Sequence, residues 1–164
     1  MIRAKKSLGQ NFLVDKNILE KIVNTTIIKD KTILEIGPGT GNLTSYILSK
    51  NPKKIFVIEK DNELAVNLKN KFNNQLKIIN DDVLKIDETN LFKDKLTVFG
   101  NLPYNISTQI LIKFIGFKKW PPNYKKLIFM FQKEVAERII SIPNSKSYGR
   151  LSIMCQFYFK TNIQ

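Results

Sequence analysis

The sequence predicts an α/β fold: a doubly wound, mostly parallel sheet connected by helices. Short apolar runs alternate with segments whose apolar residues recur every three or four positions, which is the pattern of β-α-β units. A glycine-rich turn follows the first apolar run, and polar residues follow the next three. The 164 residues are 43% hydrophobic, enough for one domain with a buried core. We therefore interpret residues 1–164 as a single domain.

The elements follow in order along the chain. Residues 1–14 form a basic arm without a clear period. Asp15 is predicted to cap the first helix, because its side chain can accept from free backbone N–H groups. Helical apolar faces are predicted within residues 18–27, 43–48, 64–72, 110–115 and 135–140. Buried strands are predicted at residues 32–36, 54–58, 76–79, 96–99 and 126–131. Residues 141–149 read as a polar loop, and residues 150–164 as a helix that ends in the start of a strand.

Composition excludes several classes of function. The chain has no histidine and one cysteine, Cys155, so it forms no internal disulfide and we expect no metal site. It has no run of 18 apolar residues, so we expect no membrane span. The start of the chain is basic and lacks the apolar core of a secretory signal. These features predict a cytoplasmic protein.

The net charge of the chain is +13, which favours polyanionic partners and above all nucleic acid. Six lysines and no acid lie between Asn105 and Lys133, directly after the turn at Asn101. We therefore expect a basic surface near that turn. The lysines predicted to contact RNA are Lys5, Lys6, Lys118, Lys119, Lys125 and Lys126. Drift toward A/T-rich codons, which also enriches lysine, is the alternative explanation.

The first three predicted strands end in groups that suit a nucleoside. The glycines of residues 35–41 let a ligand approach the backbone closely, and Glu59 ends the second strand, where an acid accepts from ribose hydroxyls. A nicotinamide-binding domain has nearly the same pattern. The G-x-G-x-G spacing, the preceding Glu35, and Asp81 with Asp82 after the third strand favour a different nucleoside site. A carboxylate there can accept from an adenine amino group, although a solvated turn is the alternative for Asp81 and Asp82.

The fourth predicted strand ends in the turn Gly100-Asn-Leu-Pro-Tyr-Asn-Ile-Ser107. This turn offers an amide side chain, a backbone carbonyl beside a proline, and an aromatic ring. Together they suit a planar base that carries an exocyclic amine, because the oxygens accept from N–H groups and the ring stacks on the base. An ordinary βα loop with a proline bend is the competing interpretation.

Five motifs resemble the ribosomal RNA adenine N6-dimethyltransferase family over nearly the whole chain. They are Leu8-Gly-Gln-Asn-Phe-Leu13, Glu35-Ile-Gly-Pro-Gly39, the turn at residues 100–107, Gln132-Lys-Glu-Val135 and Pro143-Asn-Ser-Lys-Ser-Tyr-Gly-Arg-Leu-Ser152. The chain is most similar to the bacterial KsgA type, which dimethylates two adjacent adenines near the 3′ end of 16S rRNA. The Erm-type 23S rRNA methyltransferases share the architecture and are the alternative within the family.

The resemblance implies a Rossmann-like methyltransferase fold and S-adenosylmethionine as the methyl donor. It implies cofactor contacts at Gln10, Asn11, Leu13, Gly37, Gly39, Glu59, Asp82 and Asn101. It implies a catalytic turn formed by Asn101, Leu102, Pro103 and Tyr104, with Glu35 in an orienting role. The implied partner is 16S rRNA within the small ribosomal subunit, bound by a monomeric enzyme.

Members of the family continue into further strands, a loop with a second stacking aromatic residue, and a small helical domain. The sequence ends at Gln164, before the counterparts of these parts. We therefore expect this chain to bind the cofactor and to transfer methyl groups poorly. Two other hypotheses stay open from the residues alone: a non-catalytic RNA-binding or ribosome-assembly factor, and a nicotinamide-dependent dehydrogenase.

Overall fold

A computed structural model describes residue 5, residues 9–87, residue 92, residues 94–116 and residues 122–164. The strands are β1 (Thr32–Ile36), β2 (Lys54–Ile58), β3 (Lys77–Ile79), β4 (Leu96–Asn101) and β5 (Tyr124–Met130). The helices are α1 (Lys16–Val23), α2 (Asn42–Ser49), α3 (Asn62–Phe72), α4 (Ser107–Ile115), α5 (Lys133–Ile140) and α6 (Arg150–Tyr158). The strands pair in the order β3-β2-β1-β4-β5, and every pairing is parallel. The α/β parallel sheet predicted from the sequence is confirmed.

The strand order reverses at β1, which places a crevice at one edge of the sheet. From β1 the chain adds β2 and β3 on one side and then β4 and β5 on the other. At the carboxyl end of β1, Ile36 pairs with Ile58 on one neighbour and with Gly100 on the other. Open α/β sheets bind ligands outside the carboxyl ends of the strands at such a reversal. The fold therefore locates the candidate site before any side chain is considered.

Two hydrophobic cores cover the two faces of the sheet, because successive side chains of a strand point to opposite faces. On one face, Ile33 and Val57 pack with apolar residues of α1, α2 and α3. On the other face, Leu34 and Ile58 pack with apolar residues of α4. A third cluster joins α4 to α5 and α6 through the buried Cys155. Burial on both faces explains why the strands read as continuous apolar runs.

Two helices, α1 and α3, begin at a capping aspartate. The carboxylate of Asp15 accepts from the backbone N–H groups of Asn17 and Ile18 at 2.8 and 3.1 Å, so the predicted cap of α1 is confirmed. Asp61 caps α3 in the same way. These bonds satisfy backbone donors that a helix start otherwise leaves free.

Several predicted boundaries differ from the structure. Helix α1 ends at Val23, so Ile27 is not on its apolar face and is 75% exposed. The reason is a turn in which Thr25 N–H donates to the carbonyl of Ile22. Strand β5 begins at Tyr124, two residues before its predicted start. The C-terminal helix is confirmed as α6, but residues 160–164 form no strand. Among the residues described, no helix is both long and apolar enough to span a lipid bilayer.

We expect Gly41→Ala to lower the free energy of unfolding by about 2–4 kcal/mol, combining a left-handed conformation with overpacking. Gly41 has φ +77°, and an added Cβ would lie 2.5 Å from Cε2 of Phe72. Gly149→Ala is the matched control, because Gly149 also precedes a helix but is extended and has nothing within 4 Å of an added Cβ. Urea unfolding measures both. If both variants lose the same free energy of unfolding, the left-handed conformation and close packing at Gly41 are not the cause of the loss.

Candidate active site

A pocket opens at the carboxyl edge of the sheet, next to residues 9–13 of the N-terminal arm. It is lined by the strand ends of β1, β2 and β4, by the glycine turn after β1 and by arm residues 9–13. All eight residues predicted to contact the cofactor line it: Gln10, Asn11, Leu13, Gly37, Gly39, Glu59, Asp82 and Asn101. The structure thus brings together residues that are up to 91 positions apart in the sequence.

Glu59 holds the glycine turn in place. Its two carboxylate oxygens accept from the backbone N–H groups of Gly39 and Asp61, at 3.1 and 2.9 Å. Gly37 and Gly39 both have positive φ angles, a conformation that costs glycine little. Burial raises the pKa of Glu59, against the hydrogen bonds from these N–H groups. Each oxygen retains a second acceptor position, so Glu59 can fix the turn and also accept from a ligand hydroxyl.

Asp82 lies on the same side of the pocket, after β3. Its oxygens accept from the Leu84 N–H at 3.0 Å and from Lys60 Nζ at 2.9 Å. Burial acts to raise the pKa of Asp82, but these two hydrogen bonds outweigh it and hold the pKa below its usual value. Asp82 is therefore a carboxylate at neutral pH, with acceptor capacity left for a ligand amine. Lys60 was missed by sequence reasoning, although its position directly after Glu59 could have suggested it.

Asn11 connects the arm to the Asn101 turn through its backbone carbonyl and its side-chain amide. The carbonyl of Asn11 accepts from Asn101 Nδ2 at 2.8 Å. The side-chain amide of Asn11 donates to the Tyr104 hydroxyl at 2.7 Å. We refer to these two bonds as the Asn11 bridge. The bridge uses the amide nitrogen of Asn101, and none of the described residues donates to its amide oxygen, which can therefore accept from a bound group.

Further contacts hold the rest of the arm. Lys5 Nζ pairs with Asp61 at 2.8 Å and with Glu63 at 3.3 Å, and Gln10 Nε2 donates to Asp61 at 3.3 Å. Asn42 Nδ2 donates to the carbonyl of Leu13 at 2.8 Å. The ammonium of Lys5, which we predicted to contact RNA, thus makes ion pairs that anchor the arm. Its contact with RNA stays a prediction.

The residues after Asn101 divide between core and surface. The side chain of Leu102 is 2% exposed and packs in the core beside α4, which leaves its backbone for any role in chemistry. Pro103 lines the pocket, and Tyr104 is 45% exposed, so its ring is accessible. Gly100 makes this arrangement possible, because an added Cβ would lie 2.6 Å from Cδ2 of Leu102.

The structure does not place Lys125 and Lys126 of the predicted basic surface beside the pocket. Lys6, Lys118 and Lys119 lie outside the described residues. Lys125 and Lys126 follow the first residue of β5, and Lys126 pairs with Thr97 near the start of β4, whereas Asn101 pairs with Met130. Their expected position beside the Asn101 turn is wrong, because β4 and β5 are parallel and these lysines lie at the opposite edge of the sheet. Their contact with RNA stays a prediction.

Glu35 is fully enclosed behind the glycine turn. Its Oε2 accepts from the hydroxyl of Thr44 at 2.7 Å. Burial raises the pKa of Glu35 to about 7, and the nearby Glu59 adds to this effect. The sequence analysis assigned no role to Thr44. Its position as a polar residue among the buried residues of α2 could have suggested one. Within the described part of the chain, no group of three or more His, Cys, Asp or Glu side chains is arranged to hold a metal ion.

Comparison with known proteins identifies the family. The family model described as "Ribosomal RNA adenine dimethylase" matches residues 1–163.

The chain belongs to the ribosomal RNA adenine dimethylase family. A curated relative, ribosomal RNA small subunit methyltransferase A of Pelagibacter ubique, is 57% identical over 99% of this chain and 62% of its own length. The protein of the same description from Ruegeria sp. is 42% identical over 99% of this chain and 59% of its own length. The chain thus spans about three-fifths of the length of the curated relatives it matches.

Solved structures agree with the family assignment. A dimethyladenosine transferase from Plasmodium falciparum superposes with a TM-score of 0.77 and 32% identity, over 89% of this chain and 52% of that one. The 23S rRNA methyltransferase ErmE has a TM-score of 0.71 and 24% identity, over 88% and 55% of the two chains. The second similarity shows a common fold. Together with the sheet order, these structures confirm the predicted Rossmann-like methyltransferase fold.

The raised pKa of Glu35 predicts how stability changes with pH. Between the ordinary value of 4.5 and the folded value of about 7, the folded state binds more protons than the unfolded state. The free energy of unfolding therefore falls as pH rises through this range, by on the order of 3 kcal/mol from this residue.

Glu35→Gln removes the titration while keeping an acceptor for Thr44, so the variant should lose that part of the pH dependence. Urea unfolding at several pH values between about 4.5 and 7.5 measures it. Glu137→Gln, at an exposed position on α5, is the control and should leave the wild-type profile unaltered. A Glu35→Gln profile that overlays the wild type would mean that Glu35 is already ionised in the folded protein.

Proposed function

We propose that this chain is the methyl-donor-binding and catalytic part of an rRNA adenine dimethyltransferase. In this proposal the enzyme transfers methyl groups from S-adenosylmethionine to N6 of two adjacent adenines near the 3′ end of 16S rRNA. The observation that carries the proposal is the Asn101 turn at the mouth of the pocket. There the Asn11 bridge occupies the amide nitrogen of Asn101 and leaves its oxygen to accept from an amine.

The pocket suits S-adenosylmethionine in charge and in hydrogen-bonding groups. Glu59 and Asp82 present carboxylate oxygens to it, and this local negative charge favours a cationic ligand although the net charge of the chain is +13. We assign Glu59 to the ribose hydroxyls, Asp82 to the adenine amino group, and Gly37 with Gly39 to the methionine portion. An added Cβ at Gly37 would have nothing nearer than the Asn101 carbonyl at 4.0 Å, so the turn is open there. When bound, S-adenosylmethionine supplies an electrophilic methyl group.

The chain's own groups would prepare the adenine amine to attack. Its lone pair is delocalised into the ring, so the amine is a weak nucleophile. Hydrogen bonds from its two N–H groups to Asn101 Oδ1 and the Leu102 carbonyl would favour a tetrahedral nitrogen and direct the lone pair at the methyl group. The accessible ring of Tyr104 would stack on the extruded base. No base is needed beforehand, because the nitrogen becomes strongly acidic only once it is methylated.

The arm would link the two halves of this site. The Asn11 bridge fixes the amide of Asn101 and the hydroxyl of Tyr104 from a segment that also lines the cofactor pocket. Cofactor contacts by Asn11, Leu13 and Gln10 would then stabilise the same arm position that orders the base-binding turn. We expect base binding to strengthen when the cofactor is present, which is a thermodynamic coupling between neighbouring sites.

The choice of RNA rests on the relatives. Curated proteins of 57% and 42% identity are named for methylation of small-subunit rRNA, and this supports 16S rRNA over the 23S rRNA of ErmE, whose similarity is one of fold. We further propose that the enzyme acts as a monomer in the cytoplasm. A non-catalytic assembly factor would have no need of an intact Glu59, Asp82 and Asn101.

The direct test incubates the chain with radiolabelled S-adenosylmethionine and unmethylated small ribosomal subunits, with large subunits as the comparison. The chain should be in excess over subunits, because it spans about three-fifths of its relatives and we expect slow transfer. Dimethyladenosine in the small-subunit RNA, measured by mass spectrometry, is the expected product. Label in large-subunit RNA would favour the Erm-type activity. Cofactor binding with no label in either RNA would favour the assembly factor.

We expect Glu59→Ala to weaken S-adenosylmethionine binding by about 1.5–3 kcal/mol, the scale of hydrogen bonds to a charged group. Calorimetry measures this, and NADH should give no heat with either protein. Because Glu59 also holds Gly39 and Asp61, the melting temperature is recorded for each variant. Glu137→Ala, whose side chain is 52% exposed on α5, is the control. Unchanged affinity in a folded Glu59→Ala protein would remove Glu59 from the cofactor site.

We expect Asn101→Ala to slow methyl transfer by about 10²–10³-fold, because it removes an acceptor for the reacting amine. Tyr104→Ala should cost about 1–3 kcal/mol, the value of one base–aromatic stack. Tyr104→Phe keeps the ring and should cost about 0.5–1.5 kcal/mol, because it loses the hydrogen bond from Asn11. Single-turnover transfer to small subunits is the measurement. Asn70→Ala removes an amide at an exposed position on α3 and should leave the rate unaltered. A wild-type rate in Asn101→Ala would exclude this residue from catalysis.

A further inference from the structure

A row of lysines occupies the edge of the sheet opposite the pocket. Strands β2, β1, β4 and β5 are adjacent, and their first residues pair across the sheet: Lys54 with Thr32, Thr32 with Leu96, and Leu96 with Tyr124. Each of these strands has lysine at or next to its start. We call this set the lysine edge: Lys31, Lys53, Lys54, Lys95, Lys125 and Lys126. All six are exposed.

The lysine edge carries more positive charge than the described residues around it neutralise. A groove between the strand starts is lined by five of the six lysines and by two acids, Asp30 and Asp94. Asp94 accepts from the hydroxyl of Thr32 at 2.8 Å and from Lys53 at 3.2 Å, and both bonds lower its pKa. Lys95 donates to the carbonyl of Pro122. The ammonium groups of the other four make no ion pair or hydrogen bond with the described residues.

We propose that the lysine edge binds the phosphate backbone of RNA, as a second RNA-binding face separate from the pocket. Adjacent strands lie about 4.8 Å apart, so the four strand starts form a row about 15 Å long, enough to meet several successive phosphates. Lysine is a flexible point charge suited to phosphate. Among the described residues, the groove is lined by threonine hydroxyls and by no amide or aromatic side chain that could read a base, so we expect these residues to bind RNA independently of sequence.

The two edges of the sheet favour ligands of opposite charge. Carboxylates line the pocket at one edge and disfavour phosphate there. The lysine edge lies a strand length away, about 17 Å for five residues. An RNA that presents one base to the pocket would therefore reach the lysine edge only with a different segment. RNA is favoured over an acidic protein because the family is named for ribosomal RNA. RNA is also favoured over a membrane, because a membrane-binding surface needs exposed apolar side chains. Among the described residues of the groove, Ile27 is the only large apolar residue that is exposed.

The test compares two variants that lose the same charge. The edge variant carries Lys31→Gln, Lys54→Gln, Lys125→Gln and Lys126→Gln, and the control variant carries Lys16→Gln, Lys21→Gln, Lys69→Gln and Lys146→Gln at exposed positions elsewhere. Anisotropy with a fluorescein-labelled hairpin RNA gives the affinity between about 50 and 200 mM KCl. The log–log slope should become shallower by about 3 in the edge variant, since each lost phosphate contact removes about 0.7–0.9. The control slope should change by less than about 1.

Two outcomes would overturn the proposal. Equal changes in the two variants would mean that RNA responds only to net charge. A slope that is unaltered in the edge variant, with loss of binding to polyglutamate or to phosphatidylserine vesicles, would assign the lysine edge to an acidic protein or a membrane. Calorimetry with S-adenosylmethionine separates this proposal from the proposed function, because the edge variant should bind it with wild-type affinity. A chain that binds RNA through the lysine edge and fails to bind S-adenosylmethionine would refute only the proposed function.

Discussion

The parallel direction of the strands is the constraint on which the rest of the structure depends. Every pairing in the described sheet is parallel, so every strand delivers its last residue to one edge and its first residue to the other. The reversal of strand order at β1 opens a crevice at the carboxyl edge. Acids and amides at the strand ends meet in that crevice, while the lysines at the strand starts meet on the far side. A single topological rule thus creates an acidic pocket and a basic edge in one small sheet.

The pocket is held in shape by charged groups that are costly to bury. An enclosed carboxylate is tolerated only where hydrogen bonds or protonation offset its loss of water. Glu59 meets this requirement through two backbone N–H groups. Glu35 meets it through Thr44 and through a pKa near 7. The hydrogen bond from Gly39 to Glu59 holds the glycine turn in one conformation, which is the kind of preorganisation that binding sites need.

The arm completes a site that the sheet alone leaves open. Asn11 contacts two residues of the Asn101 turn, one through its backbone and one through its side chain. Lys5 and Gln10 fasten the same segment to Asp61 at the start of α3. Asp61 in turn donates its N–H to Glu59, so the arm, the turn after β1 and the turn after β4 form one hydrogen-bonded network. We therefore expect the loss of any of these contacts to weaken binding of both the cofactor and the base.

The sequence by itself determined the local features of this protein. Strands β1 and β2 have their predicted bounds, and Asp15 caps α1 as expected, because burial period and capping are set by neighbouring residues. The polar strand ends at Glu59, Asp82 and Asn101 could be expected to converge once a parallel sheet was predicted.

Tertiary structure decided the remaining features of the site and of the basic edge. The position of Lys125 and Lys126 depends on where β5 begins and on its direction, and the bonds of Asn11 and Lys5 join segments far apart in the chain. The pKa of Glu35 depends on burial among several elements. Such contacts leave no periodic trace in the sequence, because they are properties of the packed chain.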